Sequence, residues 1–262
     1  MQAIRTEFPS DLTEAQWEYI KYLIPLPRSG GRPRTTNIRQ VMDAIFYLVR
    51  TGVPWRYLPK TFPKWKTVYD YYSKWAQEGV WEKMNEVLLI EVRLKLHRKE
   101  YPSLAIVDAQ SVRAQYGEQR GLDAAKKVRG RKRNILVDTL GLIWALHVGA
   151  GNVIDAKGGL EALYRLPRSV IKSIRKILAD TVYTWPFDYY AEKDLGIEVE
   201  IIKGKIKEGR SNLKPKRWLV ERTFAWFNRF RRLSRDYEKK TLHSEAMIYI
   251  AMEMIMLKKL LI

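Results

Sequence analysis

Apolar positions in the first hundred residues recur every three to four positions, the spacing of one face of an α-helix. Thr13 followed by Gln16 is a capping-box pattern, and Trp17, Ile20 and Ile24 then share a face. Ile38, Val41, Ile45 and Leu48 form a second stripe that begins after Asn37 and stops at Gly52, which predicts a helix closed by a glycine cap. Residues 55–58, bounded by Pro54 and Pro59, predict a single helical turn. Residues 64–77 predict a further helix, and Trp81, Met84, Leu88 and Val92 give residues 81–97 an apolar face. Two short helices around a tight turn, the second rich in Lys, Tyr and Trp, make a helix-turn-helix candidate. Lys64, Lys66, Thr67, Tyr71 and Lys74 would line its exposed side. A plain helical bundle with a solvated charged face fits the same spacing.

The pattern changes near Tyr101 and Pro102. A short apolar run, residues 103–107, ends in Asp108. Residues 134–137 and 142–148 are β-rich and flank Asp138-Thr-Leu-Gly141, a hairpin turn. Residues 155–166 predict a helix with Asp155 as its N-cap. Residues 174–179 predict a second buried strand, ending in Asp180. A helix at 187–195, a strand at 198–203, a basic loop at 205–216 and helices at about 215–233 and 242–261 complete the chain. Strand, hairpin, helix, strand, helix, strand, helix describes an α/β fold: a mixed sheet with flanking helices, compatible with a ribonuclease-H-like domain. The division expected is residues 1–100, all-α and helix-turn-helix-like, and residues 101–262, the sheet domain.

Charge narrows the partner. The 262 residues carry 48 Lys and Arg against 29 Asp and Glu, a net charge of +19. Such an excess repels itself unless a polyanion compensates, so nucleic acid is the expected partner. With 46% hydrophobic and 12% aromatic residues the composition is globular. No Cys is present, which excludes disulfides and Cys-based zinc sites and fits a reducing cytoplasm. The first nine residues lack the apolar core of a signal peptide. The longest apolar stretch, residues 246–257, contains Glu253 and is too short for a membrane span; it predicts a buried helix and no membrane association. His97, His147 and His243 lie far apart and read as structural.

The chemistry-bearing candidates are carboxylates. Phosphodiester cleavage needs an activated nucleophile and a stabilised leaving oxygen, which two divalent ions about 4 Å apart provide. Mg²⁺ takes oxygen ligands, so a few carboxylates from different elements suffice. Asp108 and Asp180 each follow a buried strand directly, at the sheet edge where open α/β sheets place their sites. Glu221 lies in Arg217-Trp-Leu-Val-Glu-Arg222, within a helix otherwise aromatic and basic. A strand-ending Asp is also a common turn former, and Asp138 and Asp188 fit similar words.

Several boxes, in one order, resemble the bacterial insertion-sequence transposases of the DDE class, close to the insertion sequence five family and related to the insertion sequence four group. They are Gly-Val-Pro-Trp-Arg-Tyr-Leu-Pro at 52–59, Ile106-Val-Asp-Ala-Gln-Ser111, the stretch 121–142, Leu178-Ala-Asp180, Arg217-Trp-Leu-Val-Glu-Arg-Thr-Phe-Ala-Trp226 and Asn228-Arg-Phe-Arg-Arg232. The chain departs from the family pattern after the second Asp, reading Asp180-Thr-Val-Tyr183 where Gly-Tyr is usual. Lys214 and Asn228 stand where related chains carry Tyr and Lys, and Arg229 is a substitute for that Lys. The resemblance implies a ribonuclease-H-like catalytic domain holding two Mg²⁺ or Mn²⁺ ions per site. Asp108 would be shared between them, Asp180 and Glu221 would each complete one shell, and Arg217 would hold a phosphate or pair with Glu221 within the helix. Gln110 and Ser111 would orient DNA or simply finish the strand.

Basic tracts extend this expectation. Lys126, Lys127, Arg129, Arg131, Lys132 and Arg133 put six cations in eight residues, suited to backbone phosphates. Arg229, Arg231, Arg232 and Arg235 continue beyond Glu221, and Arg32 and Arg34 flank a proline as in a minor-groove hook. Tyr183 and Trp185 would stack on a displaced base, or, for Trp185 the favoured reading, pack in the core. The reading is a transposase that binds the double-stranded ends of an insertion sequence, cuts by hydrolysis and joins the 3′-hydroxyls to target DNA. It would act as a homodimer or larger assembly on DNA, in a prokaryotic cytoplasm at the nucleoid. Two rival readings are a DNA-binding protein without catalysis and a metal-dependent endonuclease without strand transfer.

Overall fold

The computed structural model describes residues 8–27, 30, 34–202 and 218–261. Two compact units divide the chain: Met1–Val92 with Arg229–Leu233 and Ala246–Ile262, and Arg93–Asn228 with Ser234–Glu245. The helical unit thus takes in the end of the chain as well as its beginning.

The first unit is built on α1 (Glu14–Ile20), α2 (Ile38–Thr51), α3 (Trp65–Gln77), α4 (Val80–Lys95, to Val92) and most of the last helix, Thr241–Leu260. The capping box forms in both directions, Gln16 N donating to Thr13 Oγ1 at 3.2 Å and Thr13 N to Gln16 Oε1 at 3.1 Å. Asn37 caps α2 and Gly52 ends it in the left-handed region, φ +75°. Its apolar stripe lies inside: Val41, Ile45 and Leu48 are fully buried together with Ile20, Val68, Met84, Leu88, Ile248 and Met252. Each such side chain contributes about 1.5–3 kcal/mol by leaving water. Glu253 sits in the same helix stretch, 0% exposed, and neither carboxylate oxygen has a hydrogen-bond partner. Burial pushes its pKa well above the ordinary glutamate value, so it is held protonated.

The second unit carries one sheet. Its strands are β1 (Leu104–Arg113), β2 (Gly121–Asp123), β3 (Val128–Val137), β4 (Ile143–Ala150), β5 (Lys176–Ala179) and β6 (Glu198–Ile201). The order is β2-β3-β1-β5-β6, with β4 also on β3. β2 pairs with the start of β3 and β4 with the remainder, so the two lie end to end along one edge. β3 runs antiparallel to both β1 and β4, while β5 and β6 run parallel to β1. This mixed sheet with helical flanks has the ribonuclease-H-like arrangement expected from the sequence. The helices are α5 (Asp155–Leu163), α6 (Arg168–Ser173), α7 (Phe187–Leu195), α8 (Trp218–Phe227) and α9, the last helix, whose residues up to Glu245 belong here. α5 lies on β3, β4 and β1, and α8 on β1 and β3.

Several boundaries differ from the pattern reading. β3 begins at Val128 rather than at 134, so the cationic tract is strand and not the loop before it. Arg131, Lys132 and Arg133 of that strand find partners inside the fold. Asp155 does not cap α5: Ile154 holds that place, and Asp155 instead takes Lys132 Nζ at 2.7 Å. β2 and α6 were not expected, being too short for periodicity to register. The helix expected at 215–233 ends at Phe227 and is followed by a separate turn at Arg231–Leu233. The basic loop at 205–216 lies outside the described residues.

Candidate active site

Asp108 lies within β1 and Asp180 just past the end of β5. These strands are parallel neighbours, with Ile106 opposite Leu178. Asp108 and Asp180 each lie two residues beyond that pair. Asp180 keeps an extended backbone (φ −79°, ψ 168°). Both residues are half-buried. Asp108 Oδ1 accepts from Ala109 N at 2.8 Å, and Asp180 Oδ1 from Thr181 N at 2.6 Å, capping a turn at Thr181–Tyr183.

That turn is fixed by Tyr183, fully buried with its ring edge-on to Phe187 at 5.3 Å. A Cβ on Gly159 of α5 would stand 2.6 Å from the Tyr183 ring, so only glycine lets this anchor seat. The departure from the family pattern after Asp180 therefore ends in a core anchor. Tyr183 is not a base-stacking residue, because it has no exposed face. Trp185 reverses the other expectation: it is 70% exposed rather than core.

Glu221 stands in the first turn of α8, exposed, with Leu219 and Val220 buried beside it. α8 is tied to the β3–β4 turn, Thr223 Oγ1 donating to Gly141 O at 2.8 Å and Arg222 to Leu140 O at 2.9 Å. A Cβ on Gly141 would meet Thr223 Oγ1 at 2.9 Å, so this glycine permits the close approach. The helix carrying Glu221 thus packs against the strand carrying Asp108. Among the described residues no three His, Cys, Asp or Glu side chains close on one point as a metal cluster. The fold brings the two aspartates together and holds Glu221 on the adjoining helix, without converging all three. As donors they fit a hard, oxygen-seeking divalent cation.

The rival carboxylates have structural work. Asp138 is fully buried, ion-paired with Arg93 and accepting from Leu140 N (2.8 Å), Leu142 N (3.1 Å) and Trp144 Nε1 (3.4 Å). Asp188 caps its neighbour Tyr189 N at 2.8 Å, in the first turn of α7.

The basic tract divides by burial. Arg131 is 0% exposed; its guanidinium binds Glu118 O, Glu238 O, Lys239 O and Ser244 Oγ at 2.7–3.0 Å and Asp236 at 3.1 Å. Lys132 bridges Asp155 (2.7 Å), Asp123 (3.5 Å) and Val153 O (2.9 Å). Arg133 is 2% exposed and donates to Gln110 Oε1 at 3.2 Å; burial pushes its pKa down to about 10, against the pull of Asp236. Arg232 is likewise buried, directed at Val53 O. These four are corrections to the expected DNA-contacting set: their cationic ends are enclosed by carbonyls and carboxylates and present no charge to a phosphate. Lys126 and Lys127 are exposed, and Lys126 Nζ reaches Ala109 O at 3.1 Å, one residue from Asp108. Sequence reasoning missed the buried network because consecutive cations read as surface unless their acids are located.

In the helical unit Lys64 is exposed at the start of α3, Lys66 pairs with Asp70, and Lys74 lies 4.0 Å from Glu78. Arg34 donates to Pro25 O at 2.9 Å and lies over the Tyr71 ring. Arg229 is exposed. Arg32, Lys214 and Arg217 lie outside the described residues. No helix among them is long and apolar enough to cross a membrane.

Comparison with known proteins bears on this geometry. The family model described as the transposase DDE domain matches residues 101–256, and a model of provisionally assigned transposases of the IS4/5 family matches residues 12–85. The chain is 34% identical over 84 residues to the uncharacterized protein y4sN of Sinorhizobium fredii, covering 32% of this chain and 67% of that protein. It is 33% identical over 117 residues to a Burkholderia cepacia protein provisionally named as the transposase for insertion sequence element IS402, covering 42% of this chain and 55% of that one. An uncharacterized 16.2 kDa protein of the IS402 element is 30% identical over 109 residues, covering 37% of this chain and 69% of that one. No solved structure matches. The sheet and the family match define the class as a ribonuclease-H-like transposase domain. The chain belongs to the DDE transposases of insertion sequences.

Proposed function

We propose that the protein binds the ends of an insertion sequence, cleaves DNA there by divalent-metal-dependent phosphodiester hydrolysis, and joins the freed 3′-hydroxyls to target DNA. The observation that supports this reading is that Asp108 and Asp180 each lie two residues beyond the paired Ile106 and Leu178 of the adjacent parallel strands β1 and β5. Their carboxylates, with Glu221 from α8, would hold two Mg²⁺ or Mn²⁺ ions. Bound there, such ions supply Lewis acidity toward the scissile phosphate and an activated nucleophile. The chain's part is positional. Strand β1 and the end of β5 position two carboxylates, the Tyr183 anchor holds the loop after Asp180, and Glu221 would join them from α8. Lys126, whose Nζ reaches Ala109 O, would meet a phosphate next to Asp108. Trp185, exposed five residues after Asp180, is placed to stack on an unpaired base. Lys64, Lys66, Lys74, Arg34 and Arg229 would contact backbone phosphates through the helical unit, with Arg32 and Arg217 as further contacts. Joining two ends needs two active sites, so a dimer on DNA is expected.

A labelled element-end duplex incubated with protein and Mg²⁺ separates the readings. Joined products support transposition. Cuts without joining reduce the activity to that of an endonuclease, and binding without either would mean a DNA-binding protein that has lost catalysis.

A further inference from the structure

We propose that a cationic cavity at the far end of β1 and β3 is a phosphate-binding subsite for the DNA strand flanking the cut. It rests on the DNA-cleaving reading of the Asp108 site and extends it to a second contact region. The cavity is about 650 Å³, and Arg113, Arg120, Lys127, Arg129 and Arg235 line it. Among the described residues none of these five makes an ion pair, in contrast to Arg131 and Lys132 next door. The one acid in the lining, Asp236, is 5% exposed and already bound by Arg131 at 3.1 Å, Ser244 Oγ at 2.7 Å and Glu238 N at 3.0 Å. Five uncompensated cations around one space repel each other, and an anionic guest relieves that repulsion. Tyr116 and Tyr237 complete the wall with hydroxyl donors of the kind that bind phosphate oxygens.

The walls are tied together before any ligand arrives. Asp236 N donates to Arg113 O at 2.8 Å, extending the sheet beside the end of β1. Glu118 N donates to Lys239 O at 2.9 Å, and the buried Arg131 guanidinium joins the same two segments. Gly117, at φ +99°, lets the loop carrying Tyr116 and Arg120 close over Arg131, since a Cβ there would stand 2.6 Å from its Nη2. The cations that the sequence marked for DNA are thus sorted: Arg131 builds the pocket, while Lys127 and Arg129 face into it.

Position gives the expected footprint. Arg113 is five residues beyond Asp108 on one strand, about 17 Å at about 3.3 Å per residue. A DNA strand laid along β1 advances about 3.4 Å per nucleotide, so the subsite meets it about five nucleotides from the scissile phosphate.

The test is DNA binding by the full chain in EDTA across a salt series, using a labelled element-end duplex. For Arg113→Gln with Arg235→Gln, the slope of log K against log salt is expected to shrink by about 1.8, at about 0.9 per lost phosphate contact. Arg113→Lys with Arg235→Lys should keep the slope, and Lys172→Gln, an exposed cation elsewhere on this unit, should leave it unchanged. Methylphosphonates four to six nucleotides from the cut should weaken binding by the wild type and not by the double Gln variant. An unchanged slope in a normally folded double Gln variant overturns the subsite, as does a mononucleotide held there that duplex fails to displace. Because binding is read without metal, absent cleavage with a reduced slope sinks only the catalytic reading. Normal cleavage with an unchanged slope sinks only the subsite.

Discussion

Asp108 and Asp180 each lie two residues beyond the Ile106–Leu178 pair that joins parallel β1 and β5, Asp180 just past the end of β5. Seventy-two positions separate them in the chain, yet the sheet makes them neighbours. A parallel pair needs a crossover, and here β3, β4, α5 and α6 supply it. Asp108 within β1 and Asp180 directly after β5 are both anchored by hydrogen-bonded strand backbone.

Asp138 separates stability from catalysis. It is buried, paired with Arg93 and holds the β3–β4 turn to which α8 is tied. Asp138→Ala leaves Arg93 uncompensated, and a loss of about 3–5 kcal/mol is expected in urea unfolding. Cleavage per folded molecule should fall little. A catalytic Asp would show the opposite split.

Arg131 and Arg129 lie two residues apart on β3 and should behave oppositely. Arg131→Met breaks a fully buried network around Asp236 and is expected to cost about 3–5 kcal/mol. Arg129→Gln removes an exposed cation and should shift stability by under about 0.5 kcal/mol. Thermal melts of the two variants decide it.

Much of the fold was legible in the sequence because long apolar stripes are strong signals. The Ile38 to Leu48 stripe and the Thr13–Gln16 box fold as read. The basic tract was not, because nothing local reveals that Asp123, Asp155 and Asp236 wait there. Trp185 and Tyr183 exchanged roles for a similar reason: burial of an aromatic on a short turn depends on Gly159, more than twenty residues away. Asp108 and Asp180 were suggested by strand ends alone, but their place on neighbouring strands required the sheet.

Gly159→Ala tests that anchor. The added methyl meets the Tyr183 ring at 2.6 Å, an overpacking expected to cost about 1–3 kcal/mol. The loop after Asp180 should shift with Tyr183, so cleavage should fall more than DNA binding does. Parallel binding and cleavage assays read this ratio.

Glu253 predicts a pH dependence. The folded protein holds its proton to higher pH, while the unfolded chain releases it above about 4.5. Stability therefore falls as pH rises from there toward the raised folded value, by about 1.4 kcal/mol per pH unit. Asp43, raised to about 6 by burial, acts in the same direction between 3.8 and about 6, so the two are separated by replacing Glu253 alone. Glu253→Gln should raise urea stability at pH 8 and change it little at pH 4.

The central claim is tested by cleavage of an element-end duplex in Mg²⁺ by the wild type, Asp108→Asn and Asp180→Asn. Removing a carboxylate ligand should lower the cleavage rate by more than about a hundredfold, beyond what loss of a supporting residue costs. Duplex binding in EDTA should stay unchanged, and EDTA should abolish cutting by the wild type. Full cleavage by Asp108→Asn would contradict the account.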